Sequence, residues 1–483
     1  MKLLQIRWTF LLFALPIFCC SNPSASKQDG GRKLSAAELK NDFTILRKTL
    51  EEAHPGLYWY SPKEETDHRF DSSYALLDHA MGRKEFFQLL LPLVAGVRCV
   101  HTSLRPGPGP ENQPIQLARL LPFDLLCTAE GLYITHDFTN RGYAGMEILS
   151  INKVSSKEII SRLLTCLPAD GYNQTFKYDL LSRGAMREGY ALYWGQPESF
   201  ALKLRSTATP KEITVAVKAA PPQQLATRQA LQPSPAVSVH FHDSLNLAVL
   251  EVNTFELRTE KFRELVVPVF KKIREKGIEN LVIDLRRNGG GNNNNVPELF
   301  SFLATRPFLH LKKTAMNPPV YTYKSQFKNP ENFSAIHGVQ QPDGSYSVNG
   351  RYTGTVYRDP ARQYGFRGNT ILLISGHTTS AASEFAAIAH DNKRVTVVGE
   401  ETGGCYYGAT GGNYINLVLP ASKLEARIPT IRIFTAVEED LVRQPQGRGL
   451  LPDYPVVQTV AAILQGRDVQ LEAAIKLIKN KGT

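Results

Sequence analysis

A serine, a run of glycines and a cysteine are the residues best placed to do chemistry. Ser380 follows an apolar run, residues 371–374, and a turn through Gly376, His377, Thr378 and Thr379. It precedes an alanine-rich stretch with Phe385, Ile388 and Ala389 at helical spacing. The apolar run suits a strand buried on both faces, and the alanines suit a helix. A hydroxyl at such a junction meets unsatisfied backbone N–H groups and the positive end of the helix dipole. Oxyanions are stabilised at such places, although a plain N-cap serine also belongs there. Gly289, Gly290 and Gly291 come shortly after a second apolar run, residues 281–285. Glycine lets backbone amides approach a ligand closely, as in a phosphate or oxyanion cradle. No Gly-Lys-Ser/Thr follows, so this is not a Walker loop. Cys405 is either a second nucleophile or a buried structural thiol. His377 and His390 flank Ser380 and are further candidates for a role. Asp284 with Glu400 reads as an acid/base pair or as ion-pair partners. Glu384, one turn beyond Ser380, orders the helix start.

These residues need elements to hold them. The chain has 483 residues, 42% hydrophobic and 21% charged, room for two or three folded domains. The net charge of +11 is diffuse, without a basic stripe interleaved with aromatics, which argues against nucleic acid as a partner. Residues 1–20 read as a lipoprotein-type signal: Lys2 and Arg7 precede a short apolar run that ends at Cys19 and Cys20, with Cys20 the lipidated residue. Simple secretion is the alternative. Residues 21–33 form a tether. Residues 34–105 form a helical region opened by a Ser35–Glu38 capping box, with Phe43, Leu46 and Leu50 on one face. A second helix covers 83–97. Residues 106–218 are β-rich, with strands expected at 132–135, 146–151, 200–204 and 213–217 and a helix at 156–166. A linker rich in Pro, Gln and Ala spans 219–236. From 237 to 483 strands and helices alternate, which predicts a mainly parallel sheet or spiral. The long polar segment 310–369, with hairpin turns at Asp343-Gly344 and Asn349-Gly350, suits a lid or substrate wall. The four cysteines beyond the leader, Cys99, Cys127, Cys166 and Cys405, match no zinc spacing.

The ordered motifs resemble a known family. The segment 281–291, Leu-Val-Ile-Asp-Leu-Arg-Arg-Asn-Gly-Gly-Gly, comes first. Ser380-Ala-Ala-Ser-Glu and Val-Val-Gly-Glu-Glu-Thr-Gly follow, and Gly447-Arg-Gly-Leu-Leu-Pro-Asp453 closes the set. Together with Asp42, His54-Pro55 and His101-Thr102, these are similar to the C-terminal processing (tail-specific) peptidases and the tricorn core protease. The resemblance covers about residues 35–480. It implies an α/β fold with a ClpP/crotonase-like αββ spiral core over 237–483. Residues 145–152, Gly-Met-Glu-Ile-Leu-Ser-Ile-Asn, resemble a PDZ segment, making 106–218 PDZ-like; an ordinary β-rich insert is the alternative.

The resemblance also implies roles. Ser380 matches the nucleophile. Ala381 and Gly289 or Gly290 match the oxyanion donors, and Asp391 a helix-end aspartate. The tail-specific branch uses a Ser–Lys dyad, but its lysine position holds Cys405. The tricorn-like branch uses a histidine, matched by His101, and a glutamate whose position holds Gln446, with Glu438, Glu439 and Asp440 upstream. The expectation is an exported serine peptidase acting through an acyl-enzyme at Ser380 with His101 as general base, without metal or organic cofactor. Its partner is a polypeptide, and it meets the membrane through the lipid anchor only. The alternative is a catalytically silent peptide-binding surface lipoprotein on the same fold.

Overall fold

The computed structural model describes residues 32–107, 116–207, 209, 211–225, 234–328, 338–342, 345–348 and 355–481. The leader with Cys20, the turns at Asp343-Gly344 and Asn349-Gly350, and the middle of the 219–236 linker lie outside the described residues.

Three helices, Ala36–Ala53, Lys63–Ala75 and Arg83–Ala95, come first. The capping box forms as read: the Ser35 side chain accepts the Glu38 amide, and the Glu38 carboxylate accepts the Ser35 amide. Leu39, Phe43, Leu46 and Leu50 are buried. A short strand, β1 (Ser103–Arg105), follows the third helix.

The next region is an antiparallel sheet of β2 (Phe123–Cys127), β3 (Leu132–Asp137), β4 (Met146–Ile151), β5 (Val154–Ser155), β6 (Ser199–Ser206) and β7 (Glu212–Lys218). Its order is β2-β3-β4-β6-β7, with β5 beside β4. Helices Ser156–Cys166, Thr175–Leu180 and Met186–Trp194 close its core through Ile159, Leu163, Phe176 and Met186. Sequence periodicity marks β3, β4, β6, β7 and the first of these helices. It does not mark β2 or the two later helices.

The remaining strands are β8 (Val237–His242), β9 (Leu247–Val252), β10 (Asn280–Asp284), β11 (Leu311–Ala315), β12 (Gly338–Gln340) and β13 (Tyr346–Val348). After them come β14 (Asn369–Ile374), β15 (Thr396–Gly399), β16 (Gly408–Val418), β17 (Glu425–Thr435) and β18 (Tyr454–Pro455). The central sheet runs β18-β15-β14-β10-β9-β8 and is parallel except for β8 at its edge. Helices Thr259–Glu275, Asn295–Ser301 and Ala381–Asp391 pack Phe262, Phe270, Phe300 and Phe385 against Leu250, Ile283 and Leu372 on one face. The closing helix Val469–Lys481 sets Ala474 and Ile478 against Val249, Val282 and Leu373 on the other. Cover on both faces is why these strands read as unbroken apolar runs. The molecule is of the α/β class.

A second sheet joins the two ends of the chain. The long hairpin β16–β17 carries β11 beyond β17 and pairs with β1, Ser103 lying opposite Arg427. Asp42, fully buried on the first helix, accepts the amides of Ala421 (3.0 Å) and Ser422 (2.7 Å) in the hairpin turn. The helical region is thereby fastened to the last third of the chain.

Candidate active site

β14 ends at Ile374, and the turn after it delivers Ser380 to the position before helix Ala381–Asp391. Ser380 has φ +53° and ψ −130°, a strained conformation for a residue with a Cβ. The surrounding turn over-determines it. Thr378 Oγ1 donates to the Leu285 carbonyl (3.0 Å), Thr379 Oγ1 to the Gly289 carbonyl (3.0 Å), and Ser375 Oγ to the Arg286 carbonyl (2.9 Å). Behind Ser380, its carbonyl accepts the Glu384 amide (3.0 Å) and the Ser383 hydroxyl (2.7 Å). The serine side chain stays partly exposed.

The loop after β10 supplies the opposing wall. Gly290, at φ +98°, lies so close that a Cβ there would stand 2.7 Å from Ser380 Cβ and 3.0 Å from the Ala381 nitrogen. Its own amide donates to Asn288 Oδ1 at 2.9 Å and is spent. Among the described residues, the amides of Gly289 and Ala381 donate to no group of the chain. Two unpartnered amides thus stand in the segments next to the serine, one in the glycine run and one at the helix start.

His101 sits just before β1. Its ring lies on β16, where a Cβ at Gly411 would come within 3.3 Å of Cε1 and 3.4 Å of Nδ1. Burial, and then the nearby Arg427 guanidinium, push it down to about 3, so the imidazole is neutral. His101 Nδ1 is buried without a hydrogen-bond partner. The adjoining Thr102 is fixed by His54: the Gly56 amide donates to His54 Nδ1 (3.1 Å), leaving Nε2 to donate to Thr102 Oγ1 (3.0 Å). His54 is therefore a brace for the His101 turn.

Ser380 lies beside the segment Gly404–Cys405. A Cβ at Gly404 would stand 3.0 Å from the Ser380 nitrogen. The Cys405 amide faces the Asp170 carboxylate without a hydrogen bond of good geometry. Asp170, His101 and Cys99 in turn hold their polar atoms within 4.8 Å of one another. Among the described residues no hydrogen bond joins Ser380 to His101, and none joins His101 to a carboxylate.

The other sequence candidates fall elsewhere. Asp391 closes the 11-residue helix that follows Ser380, about 15 Å along its axis from that residue. It accepts the Glu438 amide at 2.9 Å, so Glu438 and the exposed Glu439 gather at that distant end. Gln446 is exposed. Glu384 is buried and takes His310 Nε2 and Asn293 Nδ2, each at 2.7 Å, so it is anchored away from the hydroxyl. His377 meets Asp179 (3.1 Å) and His390 meets Asp453 (3.6 Å). Asp284 pairs with Arg286 (2.6 Å), which also reaches Asp468 (2.7 Å), so Asp284 forms no pair with Glu400. Burial raises the Cys405 thiol well above its ordinary range, and Tyr60 donates to its sulfur at 3.3 Å; both mark a structural thiol.

Asp170 and Cys99 were not legible as site residues. Asp170-Gly171 reads as a turn, and Gly171 does adopt φ +55°. Only the fold brings that turn under His101.

The family model for Peptidase family S41 matches residues 246–456. Among solved structures, mature CPAF aligns over 93% of this chain and 99% of its own, with 16% identity and a TM-score of 0.62. Mature CPAF complexed with lactacystin aligns over 92% and 98%, with 16% identity and a TM-score of 0.62. A photosystem II D1 C-terminal processing protease aligns over 92% and 97%, with 12% identity and a TM-score of 0.43. At this identity the likeness to mature CPAF is one of fold.

Proposed function

We propose that the chain, whose residues 246–456 match the model for Peptidase family S41, is an exported serine peptidase acting through an acyl-enzyme at Ser380. The observation that carries the reading is the strained Ser380 packed against Gly290, with the neighbouring amides of Gly289 and Ala381 left without partners. A substrate carbonyl entering beside Ser380 would place its oxygen between those two donors, and the developing negative charge would be met by fixed dipoles. Gly290 then serves by its lack of a side chain, which allows the loop to lie against the serine.

His101 is the base in this reading. Its neutral form can accept the Ser380 proton and return it to the leaving amine; water then releases the acyl group. Apo sites of this kind commonly tighten only around substrate, so the missing Ser380–His101 bond is formed on closure. The antiparallel sheet of β2 to β7 offers edge strands to which an extended polypeptide can add. The leader and Cys20 support export and a lipid anchor facing the periplasm or exterior.

A fluorophosphonate probe tests the assignment. Folded protein labels at Ser380, Ser380→Ala abolishes the label, and His101→Ala slows it by about 100-fold or more. Folded chain that takes no label leaves a peptide-binding protein on a peptidase fold.

A further inference from the structure

The groups beneath His101 have no role in that chemistry. Cys99, His101 and Asp170 offer a sulfur, an imidazole nitrogen and a carboxylate oxygen within 4.8 Å of one another. All three are enclosed, at 4%, 9% and 1% exposure. Two atoms, His101 Nδ1 and Asp170 Oδ2, are buried without any hydrogen-bond partner. Each such atom costs about 1–3 kcal/mol, and two within one cluster call for something that would satisfy both.

The cluster is also held firmly. Asp170 Oδ1 accepts the Val100 amide at 2.8 Å. The Gly171 amide donates to the Arg98 carbonyl (3.0 Å), and the Tyr172 amide to the Gly447 carbonyl (2.8 Å). Cys99 donates its S–H to the Thr410 carbonyl at 3.4 Å. Donors about 2.0–2.3 Å from a shared ion sit within roughly 4 Å of each other, a small contraction from the present arrangement. Thiolate and carboxylate bring two negative charges, which a divalent ion cancels, and neutrality is what a buried site requires. A mixed sulfur, nitrogen and oxygen set suits zinc rather than magnesium or calcium.

We propose that Cys99, His101 and Asp170 form a zinc site whose occupation ties up the His101 imidazole and silences Ser380. The binding claim stands on the cluster alone; the silencing rests on the serine-peptidase reading. Zinc would thus be a reversible inhibitor of this chain.

The test uses the metal-stripped full chain with Co²⁺ as a spectroscopic probe, followed by Zn²⁺ competition. One equivalent of Co²⁺ should give a thiolate-to-metal charge-transfer band that Zn²⁺ bleaches. The band should vanish in Cys99→Ser and persist in Cys405→Ser. Asp170→Asn should keep the band but weaken binding by more than the roughly 10- to 100-fold cost of losing an outer-shell partner. Zn²⁺ should slow fluorophosphonate labelling of Ser380 over the concentrations that bleach cobalt, with recovery on chelation. Absence of the band, a band that follows Cys405, or unchanged affinity in Asp170→Asn overturns the site. Asp170→Asn decides the matter even if Cys99→Ser fails to fold. A band without any Ser380 labelling keeps the metal site and sinks the peptidase reading. Labelling that ignores bound zinc sinks the silencing alone.

Discussion

Gly411 shows how little room the imidazole has. Its backbone needs no unusual φ, so an added methyl tests only the seat of the ring. In Gly411→Ala that carbon would stand 3.3–3.6 Å from three atoms of His101, so the ring must move by a few tenths of an ångström. We expect labelling of Ser380 to slow by about tenfold or more, with the melting temperature nearly unchanged. An unaltered rate would mean that the imidazole does not serve the hydroxyl. Gly290→Ala is a harsher change, since its φ of +98° and the 2.7 Å approach to Ser380 both oppose a side chain. It should cost about 1–3 kcal/mol by denaturant melts and abolish labelling. A third residue makes stability depend on pH. Burial pushes Glu188, in the helix Met186–Trp194, up to about 7, with Arg187 opposing. The folded state thus prefers the protonated acid. This stability is fully present below the unfolded value near 4.5 and is lost as pH rises through about 7. The loss amounts to at most about 3 kcal/mol. Melts of the wild type and Glu188→Gln should therefore diverge between pH 4.5 and 7; parallel curves would refute the shift.

Among the elements, the first helix and the β16–β17 hairpin depend on one another through Asp42. Asp42→Ala would strand the Ala421 and Ser422 amides in a buried turn, at a cost of about 2–4 kcal/mol. The measurement is the denaturant midpoint, and a change under 0.5 kcal/mol would show that water or a neighbour replaces the carboxylate. This scale also shows what the sequence could reveal. The strand, turn and helix around Ser380 are contiguous, so apolar length and alanine content disclose the junction. The capping box at Ser35 is equally local. The two helices after residue 175 escaped because tertiary packing holds them: Phe176, Leu181 and Met186 fill a core shared with the sheet. His101 resembled a base only through neighbouring motifs, because its place depends on Ser103 pairing with Arg427 from the far end of the chain. Asp170 and Cys99 meet by the same long-range folding, which no cysteine spacing could disclose.

In the whole molecule, the parallel sheet is covered from both sides, and the last helix is one of the covers. Removing residues 469–483 would bare Val249, Val282, Leu373 and Val398. We expect the truncated chain to be insoluble or unfolded by circular dichroism; a soluble, labelling-competent product would show that this face is supported in another way. The β1–β17 pairing has a consequence for synthesis. The imidazole emerges early, the hydroxyl late, and the strand that seats the imidazole later still. An unfinished polypeptide still leaving the ribosome therefore carries the reactive parts unassembled. On the proposed serine-peptidase reading, a cell making this protein is spared its attack until Thr435 has been translated.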